Sequence, residues 1–231
     1  MIDVLQCIRV APYGVLGCQR SLGGSWTERQ ARPGMRDVIV DPTSMRALVR
    51  GPAVAGGLSR EIYEWLGLGC RGAFPELVLE GLNSPLQARF HSYEGCRRVI
   101  HAVGPDFRHR SLSRAGARLE LSRTYQNIFK EYVAHVSSSG SPGVDVLRLP
   151  PMSGGNVAGV FRGVMAELTM EALVEAFDET GEGMSRWISR GLTLVLCIFE
   201  EVEYVEYHGA LSVPRLRRQL HGCLEAIWRR G

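Results

Sequence analysis

Two segments of the chain gather small residues where main-chain groups could hold an anion. One is DPTSMRALVRGPAVAGGLSREI, residues 41–62; the other is LPPMSGGNVAGVF, residues 149–161. Each follows a short apolar run and leads into a helical pattern. Glycine and alanine let the backbone approach a ligand closely, and the free N–H groups at a helix start face negative charge. Two such loops on neighbouring strands suit a diphosphate clamped between them. Neither is a dinucleotide fingerprint. Gly154, Gly155 and Gly159 come nearest to G-x-G-x-x-G but with the wrong spacing, and that motif belongs after the first strand of its fold. NAD-dependent hydride transfer is therefore not expected.

Other chemistries are excluded by type. Lys130 is the only lysine of the chain and sits in IFKEYV, behind no glycine loop, so a Walker A motif is impossible. The same residue, in a charged helical stretch, is a poor Schiff-base lysine. Six cysteines form no C-x-x-C pair and no zinc spacing with histidine. No G-x-S-x-G elbow is present. His101, inside the run RRVIHAVGP, reads as a hydrogen-bonded core histidine, and the other histidines are isolated. Asn156 could bond a ribose hydroxyl or carry a water, and Phe199 ends the most apolar run of the chain. No cofactor and no metal site is expected; Glu200, Glu201, Glu203 and Glu206 read as a solvated edge.

The elements that must position these residues alternate. Strands are expected at Val4–Val10, Asp37–Val40, Arg98–Val103, Val144–Leu149 and Leu192–Phe199. Helices are expected near 58–66, where Leu58, Ile62 and Leu66 repeat, and over 115–136, 160–177 and 213–229. Segments 11–36 and 69–95 read as irregular. Such alternation implies a layered α/β fold with a largely parallel sheet. All 231 residues read as one domain. The formal net charge of +3 is mild, with 27 basic against 24 acidic side chains, so a dedicated nucleic-acid binder is not indicated. No signal peptide and no membrane span are expected, which points to an intracellular, cytoplasmic or nuclear setting.

Taken in order, DVIVDPTS, GPAVAGGLSREI, RRVIHAVGPDF, LSRTYQNIF and LRLPPMSGGNVAGVF resemble the macro domain, over about residues 37–205. The resemblance implies a three-layer α/β/α sandwich with a mixed, largely parallel central sheet. It implies binding of ADP-ribose, a related nucleotide diphosphate or an ADP-ribosylated protein. The ligand-contacting positions it implies are Gly51, Val54, Ala55, Gly56 and Gly57 in the first loop. In the second they are Ser153, Gly154, Gly155, Asn156, Val157 and Gly159, with Phe199 beyond. Where the family usually has Asn-Ala-Ala-Asn, this chain has Asp41, Pro42, Thr43 and Ser44, and no Gly-Asp-Ile-Thr stretch occurs in 10–36. Candidates for assisting a water are accordingly Asp41, Ser44 and Asn156. Two alternatives stay open: a mono-ADP-ribosyl or ADP-ribose-1''-phosphate hydrolase, and a macro-type scaffold with a degenerate pocket that acts through protein or RNA contacts.

Overall fold

The computed structural model describes residues 4–21, 23–69, 72–138, 146–180 and 182–212. The expected helix over 213–229 lies outside them. Among the described residues there are eight strands: β1 (Ile8–Ala11), β2 (Cys18–Arg20), β3 (Trp26–Glu28), β4 (Asp37–Asp41), β5 (Ala88–Tyr93), β6 (Arg97–Ala102), β7 (Val146–Leu149) and β8 (Thr193–Cys197). The helices are α1 (Val4–Cys7), α2 (Met45–Arg50), α3 (Gly57–Leu66), α4 (Glu76–Gly81), α5 (Arg114–Ser138), α6 (Met165–Thr180) and α7 (Glu182–Ser189), followed by helical residues 201–212.

Six strands form one sheet in the order β1-β8-β7-β4-β6-β5; all pairs are parallel except β5 with β6. Alternation along each strand builds the two faces. Val38, Val40, Ile100, Ala102, Leu147, Leu149, Leu194 and Leu196 point to one side, where α5, α6 and residues 201–212 cover them. Ile39, Val99, Val195 and Cys197 point to the other, under α2, α3 and α4. This is the mixed, largely parallel three-layer sandwich expected from the sequence. Both layers are fully formed: strand residues such as Val38, Ile39, Ile100 and Leu194 are 0% exposed.

Local differences have local causes. Val4–Cys7 is helical because β1 has no partner before Ile8, which pairs with Leu194 at the start of β8. Segment 69–95 contains α4 and β5; β5 is an edge strand whose residues are all partly exposed, so its pattern carries little hydrophobic alternation. Segment 11–36 contains the β2–β3 hairpin, whose three-residue strands are too short to announce themselves. Glu201 and Glu206 lie on a helix rather than on a solvated strand edge.

Candidate functional site

All five parallel strands deliver their carboxyl ends to one edge of the sheet, where ligands of open α/β folds bind. Across that edge stand the end of β8 with Phe199, the loop after β7, the loop after β4, and the loop after β6. Strand spacing of about 4.8 Å puts β8 and β4 about 10 Å apart, the scale of a nucleoside with its phosphates.

The loop after β4 is fixed from both sides. Ser44, extended at φ −121°, caps α2 by accepting from the Ala47 N–H at 3.2 Å. A serine immediately before a helical run is a readable cap signal, so this hydroxyl has a structural use. Gly51 ends α2 at φ 90°, and a Cβ there would lie 2.6 Å from the Gly72 carbonyl, so only glycine fits. Ala55, Gly56 and Gly57 then lead into α3. Gly56 and Gly57 are exposed, and a Cβ on either meets nothing within 4 Å. Val54, at 38% exposure, is also at the surface. Arg46 and Arg50 flank this stretch, exposed on α2.

The loop after β7 divides into struts and an open tip. Ser153 is buried at φ 59°, and its hydroxyl donates to the Pro105 carbonyl at 2.6 Å. The Val157 carbonyl accepts from Phe107 N–H at 2.9 Å, and a Cβ on Gly159 would fall 2.4 Å from the Phe107 oxygen. These contacts carry the loop across the end of β4 onto the β6 loop. Met152 is buried beneath it, its N–H donating to the Tyr125 hydroxyl at 2.9 Å. The tip, Gly155 and Asn156, is exposed, with open space before Gly155. Of the residues expected in the two loops, then, Gly56, Gly57, Gly155 and Asn156 face solvent, while Gly51, Ser153 and Gly159 hold the backbone in place.

Phe199 is half-buried between Gly14 and Trp26, whose ring centroid is 4.8 Å away at an interplanar angle of 53°. Trp26 is 54% exposed. Sequence reasoning missed it; its signal is a lone aromatic within the polar run GGSWTE. Together the rings form an aromatic surface beside the β7 loop.

Asp41 lies elsewhere. It points to the α3 side of the sheet, 0% exposed, and accepts from His101 Nδ1 at 2.7 Å. Burial, with Asp41 adding to it, raises the Tyr93 hydroxyl above its ordinary range, so it keeps its proton and donates to His101 Nε2 at 2.8 Å. Tyr63, raised by burial above all, donates to Thr43 Oγ1 at 2.7 Å, and Ser59 Oγ donates to the Pro42 carbonyl. This network ties α3 to the end of β4 and leaves Asp41 enclosed rather than on the loop surface. Cys197, the buried thiol of β8, is pushed up to about 12 by burial and stays protonated. Among the described residues no cluster of His, Cys, Asp and Glu is arranged to hold a metal.

One titrating group lies on α3 itself. Burial, with repulsion from Glu64 adding to it, pushes the Glu61 carboxyl up to about 7. A folded-state pKa above the unfolded value means the native state holds an extra proton, so stability is highest below the unfolded pKa and falls as pH rises toward 7. Glu61→Gln is expected to raise Tm at pH 8 and to leave it unchanged at pH 4. A gain of equal size at both values would refute the assignment.

No protein-family model matches the chain, and no curated protein matches it either. Solved structures do. A macrodomain mutant of Oceanobacillus iheyensis with ADPR aligns over 76% of this chain and 84% of its own, at 20% identity and a TM-score of 0.52. This chain has the macrodomain fold. The structure named Alphavirus P23pro-zbd aligns over 90% of this chain at 18% identity and a TM-score of 0.55, and this macrodomain-like chain spans 24% of that one. The agreement is one of fold. No described helix is long and apolar enough to cross a membrane.

Proposed function

We propose that this macrodomain binds ADP-ribose, free or attached to protein, through the exposed backbone of Gly56–Gly57 and Gly155–Asn156, with Trp26 and Phe199 beside the base. One observation carries the reading. The two loops leave neighbouring parallel strands at the same edge, each braced by its own contacts, and each presents glycine main chain with open space before it. A preformed surface of this kind loses little entropy on binding, and its N–H donors suit phosphate oxygens better than any neutral group. The similar macrodomain from Oceanobacillus iheyensis was solved with ADPR, which supports that ligand over other nucleoside diphosphates. The geometry favours binding over turnover, because the Ser44 hydroxyl accepts the capping hydrogen bond of α2 and Asp41 is buried against His101.

Titration calorimetry with ADP-ribose tests the reading. Saturable heat is expected, with thermal stabilisation that grows with ligand concentration. Gly56→Glu separates binding from folding. Gly56 is extended at φ −126°, ψ 173°, a conformation any residue adopts, and its Cβ meets nothing. The variant should keep its Tm within about 2 °C, as a surface change does. Its affinity should fall at least about tenfold, because a carboxylate then faces the diphosphate. Absence of heat from the wild-type chain at millimolar ADP-ribose, or unchanged affinity in the variant, would overturn the proposal.

A further inference from the structure

Among the described residues, the two most exposed large apolar side chains are Val160, at 80%, and Val49, at 79%. Each stands beside one of the two glycine loops. Val160 directly follows Gly159 in the loop after β7, and two residues on, Arg162 reaches back to donate to the Gly155 carbonyl at 3.3 Å. Val49 lies on α2, between Ser44 at the end of β4 and Gly51, where the chain sets out toward Gly56 and Gly57. One exposed valine needs no explanation. Two that flank the same pair of loops mark a surface with an apolar partner.

The outer side of α2 shows the partner's chemistry. Ala47 and Leu48 are its buried side, packed in the same cluster as Ile39 of the sheet. Arg46, Val49 and Arg50, at spacings of three and four, are neighbours on the opposite side, and all are exposed. Nearby exposed arginines are paired: Arg60 with Glu64, Arg108 with Asp106 and Arg110 with Glu120. Arg46 and Arg50 have no such pair among the described residues, and no acidic residue occurs between Pro42 and Arg60. Like charges four apart on a helix repel by about 0.2–0.5 kcal/mol, which carboxylates from outside would relieve. Two guanidiniums around a valine suit a peptide with carboxylates around an apolar side chain. Nucleic acid suits them less, since its backbone offers Val49 only charge and the chain's net charge of +3 is mild.

We propose that Arg46, Val49 and Arg50 dock an acidic peptide segment of the protein that carries ADP-ribose, so that this macrodomain prefers protein-attached ADP-ribose to the free nucleotide. The assignment rests on ADP-ribose binding at the glycine loops and adds the partner's chemistry to it. The modified side chain delivers its nucleotide to the loops, and neighbouring residues of the same peptide lie along α2. The six residues of α2 span about 9 Å, a length that three extended peptide residues cover. Because the nucleotide tethers the peptide, weak contacts on α2 act at high effective concentration.

Calorimetry on the full-length chain at low salt tests it, with three ligands. They are free ADP-ribose, a peptide bearing ADP-ribose on a glutamine nitrogen between glutamate and leucine residues, and the same peptide with lysine for glutamate. The acidic peptide is expected to bind about tenfold more tightly than free ADP-ribose, the size of two exposed ion pairs, and the gain should shrink as salt rises. Arg46→Gln with Arg50→Gln should abolish the gain and keep affinity for free ADP-ribose within about threefold, which also certifies the fold. Arg46→Glu with Arg50→Glu should turn the preference toward the lysine peptide, a reversal that misfolding does not produce. Equal affinity of the wild type for all three ligands sinks this assignment alone, as does a preference that survives Arg46→Gln with Arg50→Gln. Loss of free ADP-ribose in that variant would place the arginines at the diphosphate instead. Displacement of the acidic peptide by single-stranded RNA would make α2 a nucleic-acid surface and overturn the assignment. Absence of binding by every ligand sinks the ADP-ribose reading and this one with it.

Discussion

Arg148→Met is expected to destabilise the fold by about 3 kcal/mol, the largest loss from any single arginine. Arg148 projects from β7 to the α3 side of the sheet and is 5% exposed. Its guanidinium donates to the Val15 carbonyl at 3.2 Å, to the Ala31 carbonyl at 3.2 Å and to Asp37 Oδ2 at 3.3 Å. Methionine keeps most of the stem's volume and removes every donor. Two carbonyls and a mostly buried carboxylate then lose their shared partner, and each orphaned group costs about 1–3 kcal/mol. Lysine should rescue poorly, because one ammonium cannot reach three acceptors set for a planar fork. Both carbonyls belong to the segment that carries Trp26 against Phe199, so affinity for ADP-ribose should fall along with stability. Urea unfolding read by tryptophan fluorescence measures the first effect and calorimetry the second. A loss below 1 kcal/mol would show that water replaces the guanidinium and that the clamp does not hold the segment.

That clamp also marks where sequence reading stops. The layered fold was legible because β4, β6, β7 and β8 are apolar runs of the right length, and because α3 repeats Leu58, Ile62 and Leu66 before Gly67. The structure puts Gly67 in the left-handed conformation at φ 71°, as a helix-ending glycine should be. The two small-residue loops were legible for the same local reason. What was not legible is long-range. The contact that fixes 15–31 joins Arg148 to carbonyls 117 and 133 residues away, and nothing in LRLPP announces it. Within the loops, composition could not tell Gly51 and Gly159, packed onto carbonyls, from Gly56 and Gly155, which open to solvent. Asp41 shows the same limit. Its type and position at a strand end suit chemistry, and only pairing with His101, 60 residues on, reveals its other use.

The second large effect concerns that pair. His101→Ala is expected to cost about 4 kcal/mol, because it leaves a buried carboxylate without its donor and empties the volume of a buried ring. Both side chains are 0% exposed, and Asp41 Oδ1 already lacks a partner, so losing the imidazole strips the carboxylate of its remaining hydrogen bond. The loss includes a packing component, since Phe74 meets the ring edge-on at 5.8 Å and Tyr63 lies 6.2 Å away. Asp41→Asn should cost less, about 1–2 kcal/mol, because an amide oxygen still accepts from Nδ1 and no charge is left buried. The double variant Asp41→Asn with His101→Ala should be more stable than the sum of the two losses predicts, the signature of residues acting on each other. Thermal or urea unfolding at fixed pH measures all three. Ligand titration then separates scaffold from site. If the pair serves only to seat α3 on the sheet, Asp41→Asn keeps its affinity for ADP-ribose within about twofold. A tenfold loss of affinity with stability nearly intact would instead put Asp41 at the ligand and overturn its assignment to the packing of the sheet.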